Sequence, residues 1–260
     1  MPKKKRQKTR AANIIKTLFK KDITPHRERA YMEQKTDKEE KRKLAEFQKE
    51  TVEEFLSPHF RQRDGSQWHV MRVTYGRADK AVAHINSCAL EDKKNRENES
   101  VPYFAYTPHE TKFVFKNGKR TKQYVACIPG FIFFYGSEQD AFRFTHRSQD
   151  AHALPFLNFA YDHTTKSSSG TDNIMTIPCH EMLNFMRLAE IETTKAYSVS
   201  AEECHFRKGG KVRIIHGAFE GIVGRVARVH SQTRVVVTLE GIISYATAYI
   251  PAAFMVPAEE

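Results

Sequence analysis

No run of about 18 apolar residues occurs in the 260-residue chain, so the sequence offers no helical membrane span. The longest apolar stretch, Ile128 to Tyr135, is short and has Pro129 and Gly130 inside it. The opening Met-Pro-Lys-Lys-Lys-Arg is charged, but no apolar segment follows, which reads as a cytoplasmic protein without a secretory signal. Four cysteines, at 88, 127, 179 and 204, lack CxxC spacing, which argues against a disulfide framework and against a zinc ribbon. Hydrolase and nucleotide-binding signatures are missing as well: there is no GxSxG, no HExxH and no GxxxxGK followed by Ser or Thr. The pairs Cys179-His180 and Cys204-His205 recur, yet adjacent residues on a helix point about 100° apart and rarely share one metal. These absences describe a non-enzyme with no cofactor and no metal.

What is present is enough apolar material for a core and an uneven charge. Hydrophobic residues make up 40% of the chain and aromatics 11%, which suits one large domain or two small ones. The net charge of +11 is placed at the ends: +8 in residues 1 to 65, zero in 66 to 205, +5 in 206 to 257 and −2 from Glu259 and Glu260. Basic ends around a neutral middle suggest that a polyanion meets the ends while the middle acts by other means.

Four segments follow from composition and periodicity. Residues 1–65 form a basic, charged extension, disordered or helical; its leader PKKKRQKTR resembles a nuclear localisation signal, and its stretch from Thr36 to Phe55 has only a thin apolar stripe. Residues 66–190 read as one α+β domain. Gln67 to Val73 alternates as a strand, and Ala78, Ala81, Val82, Ile85 and Ala89 recur on one helical face. Asn117-Gly118 is the strongest hairpin signal, and Phe131 to Tyr135 reads as a buried strand. Ser137 to Asp140 has capping-box spacing, and Pro178 opens a helix carrying Met182, Phe185, Met186 and Ala189 on one face. Residues 191–205 read as a linker, and 206–257 as a small all-β barrel that folds independently.

Within the barrel, Gly210 to Val229 resembles a KOW motif. Gly217, Gly221 and Gly224 would allow tight turns and close strand approach, with Phe219 packed between the strands. In the middle domain, Trp68 to Val73, then Tyr75-Gly76-Arg77 before a helix, Ile128 to Phe133, and Ile177-Pro178 follow in the order of the NusG N-terminal domain. Together these motifs, spread over residues 67 to 257, resemble the NusG family of transcription elongation factors. The run from Arg234 to Pro251 looks like the specialised UpxY-type paralogues, antiterminators of long polysaccharide operons.

The resemblance implies an α/β sandwich-type N-terminal domain followed by an SH3-like KOW barrel. It also implies a monomer that binds the clamp helices of the largest RNA polymerase subunit, with non-template DNA or nascent RNA as further contacts. Family docking maps onto Trp68, Tyr75, Gly76, Arg77, Ile128, Pro129, Gly130 and Phe131. Core packing is the competing reading for Trp68 and Phe131, which lie on expected strands. The barrel's partner loop maps onto Leu239, Glu240 and Gly241; a glutamate where the family places an anchoring aromatic argues against Rho binding. Two other readings stay open: a housekeeping NusG coupling polymerase to Rho or the ribosome, and a KOW-type ribosomal or RNA-binding protein. The barrel's basic residues, Arg207, Lys208, Lys211, Arg213, Arg225, Arg228 and Arg234, suit either RNA or an ordinary solvated face.

Overall fold

The computed structural model describes residues 38–95, 101–116, 118–166, 170–191, 196–199 and 205–258. The basic leader therefore lies outside the described residues. The chain divides into a unit of residues 1–49 and a second of residues 50–260. In the first, residues 38–49 are helical, with Glu39 paired to Arg42 at 2.8 Å and to Lys43 at 3.8 Å along one face.

The second unit begins with α1 (50–56) and continues through a mixed order of strands and helices. These are β1 (Gln67–Val73), α2 (Ala78–Asn95), β2 (Phe104–Tyr106), β3 (His109–Lys116), β4 (Lys119–Ala126), β5 (Phe131–Gly136), α3 (Glu138–Arg143), β6 (Leu157–Phe159), β7 (Tyr161–Lys166), β8 (Asp172–Ile174), β9 (Thr176–Ile177) and α4 (Cys179–Ala189). Then come β10 (Ala196–Val199), β11 (His205–Ile214), β12 (Val223–Val229), β13 (Gln232–Leu239), β14 (Ile243–Thr247) and β15 (Met255–Pro257). The class is α+β, with strands predominating.

The central sheet has the order β2-β5-β1-β6, and β9 pairs with the remaining part of β1. All its pairings are antiparallel, with Trp68 opposite Tyr135 and Val70 opposite Phe133. Both faces are covered, which is why β5 is a continuous apolar run instead of an alternating one. Ile132 and Phe134 point to one face, where Phe134 meets Tyr103 and Phe144. Phe133 and Tyr135 point to the other, where Phe133 meets Phe185 of α4 and Tyr135 meets Phe55 of α1 and Trp68. The apolar positions expected on α2 and α4 are buried. Buried Asn86 on α2 exchanges two hydrogen bonds with the backbone of Ala105, satisfying an edge strand that would otherwise lack partners. Ser137 caps α3 by accepting from the Asp140 amide at 3.1 Å, as the spacing predicts.

Two expected boundaries move. The extension was expected to run to residue 65, yet Phe55 lies within 5.7 Å of Phe60, Trp68, Phe104 and Tyr135 by ring centroid, and the Arg63 backbone donates to the Tyr135 hydroxyl. Residues 50 to 63 thus belong to the core of the second unit, because the exposed edge of an aromatic cluster needs a cover. The segment expected to be a linker contributes β10, which pairs with β14 and makes the C-terminal sheet six-stranded in the order β10-β14-β13-β12-β11-β15. Val199, Ala227, Val229, Val236 and Ala246 form its core cluster.

The β12–β13 hairpin turns on His230 and Ser231, both with positive φ, at 48° and 64°. A two-residue turn with both centres left-handed matches the strand twist, but it strains residues that carry a Cβ. Replacing the pair by Asn-Gly should raise stability by about 1 kcal/mol. Urea denaturation of His230→Asn/Ser231→Gly checks this, and an unchanged midpoint counts against a strained turn.

Candidate functional site

At one end of the β1–β5 pair the chain makes two turns. Thr74 to Arg77 closes with the Arg77 amide donating to the Thr74 carbonyl at 3.0 Å, and Gly76 takes φ +72° at the position a type II turn reserves for glycine. This leaves Tyr75 82% exposed, while the Arg77 guanidinium lies 5.3 Å from the Phe156 ring centroid. The second turn runs from Ile128 to Phe131, closed by the Phe131 amide on the Ile128 carbonyl at 3.2 Å. The Val73 amide donates to Gly130 at 2.9 Å and holds the two turns side by side. The structure therefore brings together Tyr75, Gly76, Arg77, Pro129, Gly130 and Phe131, with Phe131 half-buried and Ile128 buried.

Trp68 does not join them. It is fully buried at the opposite end of β1, its ring 5.2 Å from both Phe55 and Tyr135. The docking role expected of Trp68 gives way to a core role, because the strand carrying it is covered on both faces. Its buried indole N–H makes no hydrogen bond among the described residues, and burial raises the pKa of the Cys179 thiol.

The same end of the domain carries the β3–β4 hairpin, whose strands pair only with each other among the described residues. The Cys127 amide donates to the Pro108 carbonyl at the hairpin's base, and His109 Nε2 lies 2.7 Å from Asp79 in the first turn of α2. Lys112 pairs with Glu110 at 2.8 Å, and that bond raises the pKa of the ammonium. Register places Phe113 opposite Lys122, Phe115 opposite Arg120 and Thr111 opposite Tyr124, so one face carries three aromatics and two cations. Phe113, Phe115 and Tyr124 are 56%, 78% and 70% exposed, and the Arg120 guanidinium sits 4.0 Å over the Phe113 ring. Exposed aromatics interleaved with cations are the side-chain types that base stacking uses. The sequence reading found the hairpin but missed this face. Its signal was the alternation of Phe113 and Phe115 against Arg120, Lys122 and Tyr124 around Asn117-Gly118.

The C-terminal sheet packs against this domain. Asn184 on α4 donates to the Val223 carbonyl at 2.5 Å and accepts from the Val223 amide at 2.9 Å, as a strand would. Buried Tyr245 on β14 meets the Phe185 ring edge-on at 5.6 Å, and its hydroxyl lies 2.8 Å from Cys127 Sγ. Burial raises both pKa values, the Cys127 thiol to about 11, so the pair is neutral at ordinary pH. Tyr245 thus stands one residue from Ile128, against the surface that the resemblance assigns to docking.

Within the sheet, Gly217 and Gly221 take positive φ and flank buried Phe219. A Cβ on Gly224 would lie 2.5 Å from the Val236 carbonyl oxygen, so β12 and β13 pack closer there than any side chain allows. Leu239 is buried, while Glu240 and Gly241 form the exposed β13–β14 turn. Arg207 and Lys208 have side chains outside the described residues.

No family model matches the chain, and no curated protein matches it. Among solved structures, one titled "Domain interaction in Thermotoga maritima NusG" is similar over 75% of this chain and 98% of that one, at 16% identity and a TM-score of 0.31. A likeness at that level carries no functional argument, so the functional reading rests on the residues.

Removing the Asn184 amide leaves the Val223 N–H and carbonyl unpaired, which costs about 1–3 kcal/mol. Asn184→Ala should therefore speed hydrogen exchange at the Val223 amide while leaving the β1–β5 amides protected. Equal exchange in wild type and variant would show that the two bonds do not hold the sheet.

Proposed function

We propose that the protein is a non-enzymatic transcription elongation factor of the NusG type. It docks on the polymerase clamp through the Tyr75 and Ile128–Gly130 turns and steadies a single nucleic-acid strand with the β3–β4 hairpin. The observation that carries this reading is the meeting of three features at one end of the central sheet: an exposed Tyr75, the adjoining 128–131 turn and the aromatic and basic face of the hairpin. Exposed aromatics cost solubility unless a partner covers them, and this end presents four, Tyr75, Phe113, Phe115 and Tyr124, beside Arg77, Arg120 and Lys122. A factor that binds the closed clamp better than the open one suppresses pausing without chemistry of its own.

The finer reading is an antiterminator of the UpxY type acting on a restricted set of operons. It is supported by the Arg234–Pro251 run and by charged, exposed Glu240 at the sheet's tip, which is unsuited to the apolar anchoring that Rho recruitment would use. Because Tyr245 contacts Cys127 next to Ile128, polymerase and the C-terminal sheet compete for part of one surface. Release of the sheet is then a step in docking.

Polymerase pull-down tests the docking site. Tyr75→Ala should lower affinity at least tenfold without altering the melting curve, while Asn184→Ala, which loosens the sheet, should raise affinity. Full binding by folded Tyr75→Ala would remove the docking assignment. Phe113→Ala and Phe115→Ala should each weaken binding to single-stranded DNA by about 1–3 kcal/mol, read by fluorescence anisotropy. If single-stranded affinity instead resides in residues 196–258 and survives both substitutions, the RNA-binding KOW reading gains.

A further inference from the structure

One cluster of side chains stands apart from the docking end and is used by nothing described above. His84, Cys88 and His152 each place one donor atom within 4.8 Å of the other two. Cys88 Sγ and His152 Nδ1 are 3.4 Å apart, and His84 Nε2 donates to the His152 carbonyl at 3.1 Å, with the two imidazole centroids 5.9 Å from each other. His84 and Cys88 are four residues apart on α2 and so lie on one face of it. His152 arrives from the segment after α3, and that segment is tied down: the His152 amide donates to Asp150 Oδ1 at 2.8 Å, and Arg143 Nε donates to Asp150 Oδ2 at 3.2 Å.

Two imidazoles and a thiol are a poor choice for a packing cluster and a good one for a borderline-soft cation. In tetrahedral coordination, Zn–N of about 2.0–2.1 Å and Zn–S of about 2.3 Å put nitrogen and sulfur roughly 3.5 Å apart. The observed sulfur–nitrogen separation of 3.4 Å already matches. A nucleophilic Cys–His pair fits less well, since Cys88 is only 7% exposed and lies near the carboxylates of Glu91 and Asp92. Those carboxylates and Asp150 favour a nearby cation; Arg143, paired with Asp92 and Asp150, is the opposing charge. His84 and His152 are half-buried, which leaves the cluster open to an incoming ion.

We propose that His84, Cys88 and His152 bind one zinc ion with three protein ligands, the fourth position being filled by water. The ion ties α2 to the segment that follows α3, on the face of the sheet that also carries Phe134 and Phe144. Spacing rules could not reveal it, because His152 is 64 residues from Cys88 in sequence. The expectation of no metal rests on the missing CxxC and HExxH spacings and on the adjacent Cys-His pairs, all of them local patterns.

The full-length chain, stripped with chelator, is titrated with Co²⁺ and then reloaded with Zn²⁺. Wild type should show a near-ultraviolet thiolate-to-cobalt band at one equivalent, retain one zinc per chain by elemental analysis, and melt roughly 5–15 °C higher with zinc in large excess over its dissociation constant. Cys88→Ser should abolish the band, and His84→Asn and His152→Asn should each weaken zinc binding at least tenfold. Cys179→Ser and Cys204→Ser should leave both readings intact. Absence of the band in wild type overturns the proposal, as does a band that survives Cys88→Ser or is lost in Cys179→Ser or Cys204→Ser. Should Cys88→Ser fail to fold by circular dichroism, His152→Asn decides, since its side chain leaves the helical core untouched; unchanged zinc affinity there overturns the assignment.

Discussion

The fold depends on covering both faces of the β1–β5 pair. β5 offers Ile132 and Phe134 to one side and Phe133 and Tyr135 to the other, and no strand with that sequence can leave a face in water. One face is closed by α2, α3 and the rings of Tyr103 and Phe144. The other is closed by α4 through Phe185 and by α1 through Phe55, which fills the space among Trp68, Phe104 and Tyr135. With the faces committed, the ends of the strands and the hairpins beyond them are left for recognition.

That constraint explains the location of the candidate interface. Antiparallel pairing of β1 with β5 sets the end of the first strand beside the beginning of the second, so the Tyr75 turn and the 128–131 turn become neighbours although more than 50 residues separate them. The β3–β4 hairpin enters at the same end because its base is fixed to the Cys127 amide and to Asp79. The C-terminal sheet reaches this region through Tyr245 and is seated by Asn184, which imitates a strand edge with a side-chain amide. The seat is specific because its contacts are directed: two amide hydrogen bonds, an aromatic edge, a thiol–phenol contact and the Ser198 hydroxyl on Glu110.

Much of the fold was legible from the residues alone. The helical faces of α2 and α4, the Ser137 cap and the buried strand FIFFY are local patterns whose physics acts within a few residues. The glycines at 217, 221 and 224 were also readable, two from turn geometry and one from close strand approach. Trp68 was less so: an aromatic on a strand buries equally well in a core or under a partner, and only the arrival of α1 decides for the core. The extent of the extension was misjudged for the same reason, since a thin apolar stripe on a charged helix does not announce that Phe55 completes an aromatic cluster.

By itself the sequence determined the mixed class of fold, the faces of α2 and α4, the residues of the two turns and the hairpin around Asn117-Gly118. Tertiary structure alone decided which residues meet: Val73 with Gly130, Tyr245 with Cys127, and Cys88 with His152. The physical reason is one of range. Periodicity, capping and turn chemistry are set by neighbours along the chain, whereas a binding surface or a ligand cluster is set by strand pairing and packing that join distant segments.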